Sequence, residues 1–143
     1  MTIKKGSAVW EGSFKQGSGT ISTESGALKK AAYGVSARFE EQPGSNPEEL
    51  IAAAHASCFS MALSLMLGEA GFEPASIETE AAVRLEKVGD GFAITSSHLS
   101  VHARIPGIDA DTFSEIATQA KAGCPVSKVL NAEITMDATL LAE

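Results

Sequence analysis

Hydrophobic and polar positions follow two periods along the chain, which predict an α+β fold. Near the N-terminus, short runs rich in β-branched or aromatic residues (7–14 and 20–23) flank the glycine turn QGSG, and a third run, 35–40, follows another glycine. These read as strands of an antiparallel sheet. Further on, Ile77, Thr79, Ala81, Val83 and Leu85 alternate with Glu78, Glu80, Arg84 and Glu86, the period of a half-buried strand. The chain returns after VGDG with Leu99, Val101, Ala103 and Ile105 on one face, but Phe92 and Ile94 have the opposite parity, which predicts a bulge near residues 95–97. A long hairpin results. Asp109 or Asp111 can cap a second helix with the apolar stripe Phe113, Ile116, Ala117 and Ala120, ending at Gly123. A helical turn over 125–130 and a last strand carrying Ile134, Met136, Ala138 and Leu140 complete the chain.

Between the two sets of strands lies the run AAAHASCFSMALSLML. Asn46 fits the N-cap of its helix, Pro47 the first helical position, Glu49 the capping-box position and Gly68 the end. About 21 residues span roughly 32 Å, the width of a small domain. From Phe59 onward apolar residues fall on every face, so the helix must be buried all round. One sheet covers one side only, and a second copy of the chain is the simplest source of the other layer.

With 143 residues, a single domain, 1–143, is expected, with no repeat or linker. A formal net charge of −7 disfavours a nucleic-acid partner. The segment 59–67 is half a membrane span and is interrupted by Ser60 and Ser64, so no membrane association is expected. The opening MTIKKGSAVWEG reads as neither signal peptide nor anchor, and the expected location is the cytoplasm. There a pair of cysteines is more often catalytic, redox-sensing or metal-binding than structural.

Cys58 and Cys124 are the only cysteines. A thiolate oxidised to sulfenic acid needs a second thiol within bonding distance to resolve it as a disulfide, so two cysteines suffice for such a cycle. Cys58 equally suits a core helix as a small hydrophobe, and its mid-helix position offers no local charge to lower its pKa. Cys124, before Pro125, would sit at a helix N-terminus, and local sequence slightly favours it as the thiolate. His55 shares a helix face with Cys58, which allows a Cys/His hydrolase dyad, although a polar histidine at the rim of a buried face is the commoner arrangement. His98 and His102 read as solvated, Arg38 as a surface ion-pair partner of Glu40 or Glu41, and Glu49 as a capping residue. A zinc site on His55, Cys58 and Cys124 would lack a fourth ligand, and neither metal nor cofactor is expected.

The arginine in ARFE, the helix entry NPEEL, the cysteine helix AAHASCFSMALSLML and AGCPVS together resemble the OsmC branch, the osmotically inducible one, of the OsmC/Ohr family of peroxide reductases. The resemblance runs from KKGSAVWEG to AEIT, nearly the whole chain. It implies an intertwined homodimer with its active sites at the interface, reducing organic hydroperoxides in oxidative and osmotic stress with a dithiol, such as a dihydrolipoyl protein, as reductant. Cys58 matches the peroxidatic cysteine, Cys124 the resolving one, and Arg38 with Glu49 the pair that organises the site. Arg38 would then supply the cation that Cys58 lacks, held by the two hydrogen bonds it donates to Glu49. The rival readings are the Cys58/His55 hydrolase or transferase and a non-catalytic, stress-associated dimer.

Glu49 and Cys58 are nine residues apart, about 180° of rotation and 13.5 Å of rise in one continuous helix. To serve one site, the helix must break near residues 52–55 or Glu49 must come from the partner. The alanine run argues against a break.

Overall fold

The computed structural model describes every residue from Met1 to Glu143. It shows the α+β architecture as two compact units, Met1–Leu50 and Ile51–Glu143. In the first, β1 (Gly6–Glu11), β2 (Ser18–Thr23) and β3 (Ala31–Tyr33) form an antiparallel sheet in that order. Gly19 of β2 allows Trp10 and Tyr33 to meet across it, their ring centroids 5.5 Å apart, because a Cβ there would lie 2.4 Å from the Tyr33 ring. The run 35–40, expected as a strand, contains a one-turn helix instead, α1 (Val35–Phe39). Its centre holds Ala37 and Arg38, good helix formers, and an apolar run this short does not distinguish the two periods.

The long helix α2 (Pro47–Glu69) starts as expected, with the Asn46 side chain accepting the Glu49 backbone N–H at 2.8 Å. It passes through Gly68 to Glu69, and the Phe72 N–H closes onto the Leu67 carbonyl. In the second unit, β4 (Ser76–Val88), β5 (Gly91–Arg104) and β6 (Glu133–Leu140) form a mixed sheet. β4 and β5 are the antiparallel hairpin; β6 lies parallel to β5. Gly89 turns the hairpin at φ +61, a conformation that glycine adopts without strain. Arg84 faces Ser96 while Leu85 faces Ile94, so Thr95 is the extra residue of a bulge, at the place where the two parities of β5 meet.

Phe59, Leu63 and Leu67, one turn apart on α2, are fully buried with Leu99, Val101 and Ala103 of β5. The helix α3 (Ala110–Gly123) is capped by Asp109, whose carboxylate accepts the Thr112 N–H at 2.7 Å, and buries the expected stripe Phe113, Ile116, Ala117 and Ala120. Helix α4 (Pro125–Val129) follows at once. α2 is not buried all round within one chain: Met61 and Leu65 are 74% and 64% exposed. It has the length and apolar composition of a membrane span, yet one face is committed to packing on the sheet.

Candidate active site

Cys58 and Cys124 face each other. Neither is in a disulfide, and their side chains share a hydrogen bond. Cys58 lies on α2 directly before the buried Phe59 and is partly exposed, whereas Cys124 is fully buried at the joint of α3 and α4. Pro125 creates that joint, because a residue before proline is driven out of the helical region; Cys124 sits at φ −59, ψ 125. Its own N–H closes α3 onto the Ala120 carbonyl, while its carbonyl accepts the Lys128 N–H of α4.

The two thiols are perturbed in opposite directions. Burial, then the hydrogen bond with Cys124, raises Cys58, and only the Val126 backbone works against this. Burial also acts to raise Cys124, but the hydrogen bond from Cys58, the backbone and hydroxyl of Ser127 and the backbone of Val126 outweigh it, so Cys124 is lowered. The α4 amides act on the sulfur without closing a side-chain capping bond. Of the two thiols, Cys124 is thus the one whose ionisation the surroundings favour, as the GCP sequence suggested.

His55 is fully buried, not at the rim of a face as expected. Its Nδ1 lies 2.7 Å from Ser97 Oγ and its Nε2 2.7 Å from Ser127 Oγ. Both ring nitrogens are thus engaged by hydroxyls, which leaves none to deprotonate Cys58 and removes the basis of a Cys58/His55 dyad. Burial lowers the His55 pKa, keeping the ring neutral. His98 is also not simply solvated, since it meets Thr135 Oγ1 at 2.6 Å and Asp137 at 3.1 Å. No three His, Cys, Asp or Glu side chains converge to hold a metal.

In the first unit, Arg38 closes α1 and forms a two-bond ion pair with Glu48, Nε to Oε1 at 2.8 Å and Nη2 to Oε2 at 3.3 Å. This corrects the pairing of Arg38 with Glu49, as well as the expected surface pairing with Glu40 or Glu41. Consecutive helix residues point about 100° apart. Glu49 is exposed with its backbone N–H in the cap, whereas Glu48 is only 8% exposed and turned to the arginine. Both glutamates stand in NPEEL; the signal for Glu48 was that the cap left it without a task. A cavity of about 240 Å³ beside this pair is lined by Trp10, Phe14, Tyr33, Val35 and Phe39 together with Arg38. The serines at 97 and 127 were also missed, although a histidine inside an apolar helix signals that polar partners must await it.

A family model described as OsmC-like protein matches residues 40–139. The chain is 64% identical over 138 residues, 96% of each sequence, to peroxiredoxin OsmC of Escherichia coli. It is 28% identical over 117 residues to the organic hydroperoxide resistance protein OhrB of Bacillus subtilis, covering 81% of this chain and 84% of that one. The crystal structure of that OhrB superposes with a TM-score of 0.69 at 26% identity, over 94% of this chain and 98% of the other. An OsmC-like protein of unknown function from Vibrio cholerae shares the fold with a TM-score of 0.78 at 17% identity, over 97% and 100%. Fold and site define a two-cysteine α+β protein of the OsmC/Ohr type. The chain belongs to the OsmC-like family.

The opposed thiol perturbations predict a two-step titration, the steps belonging to the pair. In isotope-labelled cysteine NMR following the Cβ shifts, one step should fall below the ordinary cysteine value and the other above it. The signal of Cys124 should lead. A single step near the ordinary value for both residues would contradict the contact.

Proposed function

We propose that this protein is a cysteine-based peroxidase that reduces organic hydroperoxides to alcohols. The observation that carries the reading is the contact between Cys58 and Cys124. The names of the relatives, peroxiredoxin OsmC and organic hydroperoxide resistance protein, support it. In this reading the Cys58 thiolate attacks the distal oxygen of ROOH. The O–O bond breaks, an S–O bond forms, and the leaving alkoxide takes a proton to become ROH. Cys124 then attacks the Cys58 sulfenic sulfur, forming the disulfide and expelling hydroxide, which leaves as water. An external dithiol, for which a dihydrolipoyl protein is the candidate, returns both thiols by exchange and is itself oxidised to a disulfide.

One observation favours the reverse assignment, with Cys124 as the attacking thiol, because its pKa is the lowered one. Access favours Cys58. Cys124 has no exposed surface and Cys58 does, so a hydroperoxide reaches Cys58 first. Cys58 must then be ionised by a cation, and Arg38, fixed by its two bonds to Glu48, is the candidate. The aromatic cavity beside Arg38 suits an apolar R group. These roles are proposed for Cys58, Cys124, Arg38 and Glu48. Glu49, exposed and with its backbone serving the cap, has no part in them.

The same proposal includes a homodimer in the cytoplasm, with Arg38 and Glu48 of one chain serving Cys58 of the other. The exposed Met61 and Leu65 of α2 offer an apolar face for a second copy. Glu48 and Cys58 are ten residues apart on the unbroken α2, about 15 Å of rise and about 80° of rotation, and this axial separation favours a site shared between chains.

Second-order rates with tert-butyl or cumene hydroperoxide should exceed the rate with hydrogen peroxide under the same dithiol; equal or slower rates would sink the substrate assignment. Cys124→Ser should still be oxidised at Cys58, stopping at sulfenic acid and advancing to sulfinic acid with excess peroxide, as read by mass spectrometry. Wild-type peroxide consumption by Cys58→Ser would mean that the two cysteines are assigned backwards.

Mixing inactive Cys58→Ser with inactive Glu48→Ala subunits tests the shared site, since one site of the heterodimer then holds both residues intact. Activity should return. No recovery in verified heterodimers would mean that each chain builds its own site.

A further inference from the structure

Neither peroxide attack nor disulfide exchange, as described above, uses His55. The chain nevertheless buries this imidazole completely in an apolar helix and gives it two 2.7 Å hydroxyl partners from different elements, Ser97 on β5 and Ser127 on α4. Burying polar groups is costly even when they are paired, and an apolar trio of similar shape would hold the elements together about as well. The arrangement therefore calls for a reason beyond packing. Ser127 provides one, because it stands three residues after Cys124, across the first turn of α4, whose Lys128 N–H is already bonded to the Cys124 carbonyl.

We propose that His55 is a positioning residue for the resolving thiol: through Ser127 it holds a hydroxyl proton toward the Cys124 sulfur and so presents Cys124 to oxidised Cys58 as a thiolate. The order of donors follows from the inventory of each group. If the Ser127 hydroxyl donates to sulfur, its oxygen accepts from His55 Nε2–H, and His55 Nδ1 accepts from the Ser97 hydroxyl. A neutral imidazole suits both bonds, and burial keeps this ring neutral. The lowering of Cys124 by the Ser127 hydroxyl agrees with the direction of the chain. The titratable group facing Cys124 is Cys58. In the resolving step the Cys124 thiolate forms the S–S bond as the Cys58 S–O bond breaks, and the expelled hydroxide is protonated to water. The relay itself transfers no proton to solvent.

The inference rests on the peroxidase reading for its purpose but not for its test. In a Cys58→Ser background only Cys124 titrates, and isotope-labelled cysteine NMR reads its pKa without peroxide. Ser127→Ala should raise that pKa by about one unit, a roughly tenfold loss of thiolate at a pH below it. His55→Asn, whose amide matches the Nδ1 side and reaches Ser97 alone, should raise it similarly. His55→Gln places an amide donor where Nε2 stood and should restore the low value. With Cys58 present, disulfide formation from the sulfenic acid should slow about threefold relative to sulfenic acid formation in Ser127→Ala, because the more basic thiolate that remains is the better nucleophile.

A merely structural histidine would lose stability in both the Asn and Gln variants and leave the Cys124 pKa in place. An unchanged pKa in Ser127→Ala, which removes one half-buried hydroxyl, overturns the proposal even if neither histidine variant folds. Equal shifts in the Asn and Gln variants overturn the role of His55. A linked titration in a protein that consumes no hydroperoxide would instead count against the peroxidase reading alone.

Discussion

The contact between Cys58 and Cys124 depends on how α2 and the α3–α4 joint pack on one sheet. Phe59, Leu63 and Leu67 fix the rotation of α2, and Phe59 directly follows Cys58, so burying the core sets the direction of the thiol. On the other side, Ala117 and Ala120 seat α3 in the same core, and Pro125 breaks the helix directly after Cys124. Each sulfur is placed by the packing of its neighbours. A shift of α2 by one residue would turn Cys58 by about 100° and separate the pair.

Within that frame the electrostatics divide the work. The Cys58 hydrogen bond, the amides of α4 and the Ser127 hydroxyl lower the pKa of Cys124, while burial raises that of Cys58. In the proposed cycle a resolving thiol benefits from being ready in advance. The two-bond clamp of Glu48 on Arg38 makes the guanidinium a fixed charge, with aromatic side chains around it. Rigid donors of this kind need little rearrangement at the moment of reaction.

Much of this was legible in the chain where one physical rule acts alone. The parity switch along β5 located the bulge, Asp109 and the stripe from Phe113 to Ala120 defined α3, and GCP announced both the helix joint and the anionic tendency of Cys124. Legibility failed where two rules compete at neighbouring positions. In NPEEL both glutamates sit in the first turn of α2, and the capping rule singles out Glu49 without saying where Glu48 points; only the tertiary position of Arg38 decides that. The run at α1 is too short for its period to be read. His55 looked peripheral because its partners are 42 and 72 residues away, and no local spacing foretells a hydroxyl from β5 or α4. The apolar residues on every face of α2 led to the expectation of burial all round, whereas one chain leaves Met61 and Leu65 uncovered.

The central claim is that two sulfurs already in contact form one redox unit. Counting free thiols in the reduced protein before and shortly after one equivalent of cumene hydroperoxide, and again after a dithiol, tests it most directly. The account predicts that both thiols of each chain disappear together, that peptide mapping joins Cys58 to Cys124, and that the dithiol restores both. Loss of a single thiol, or of none, would contradict it.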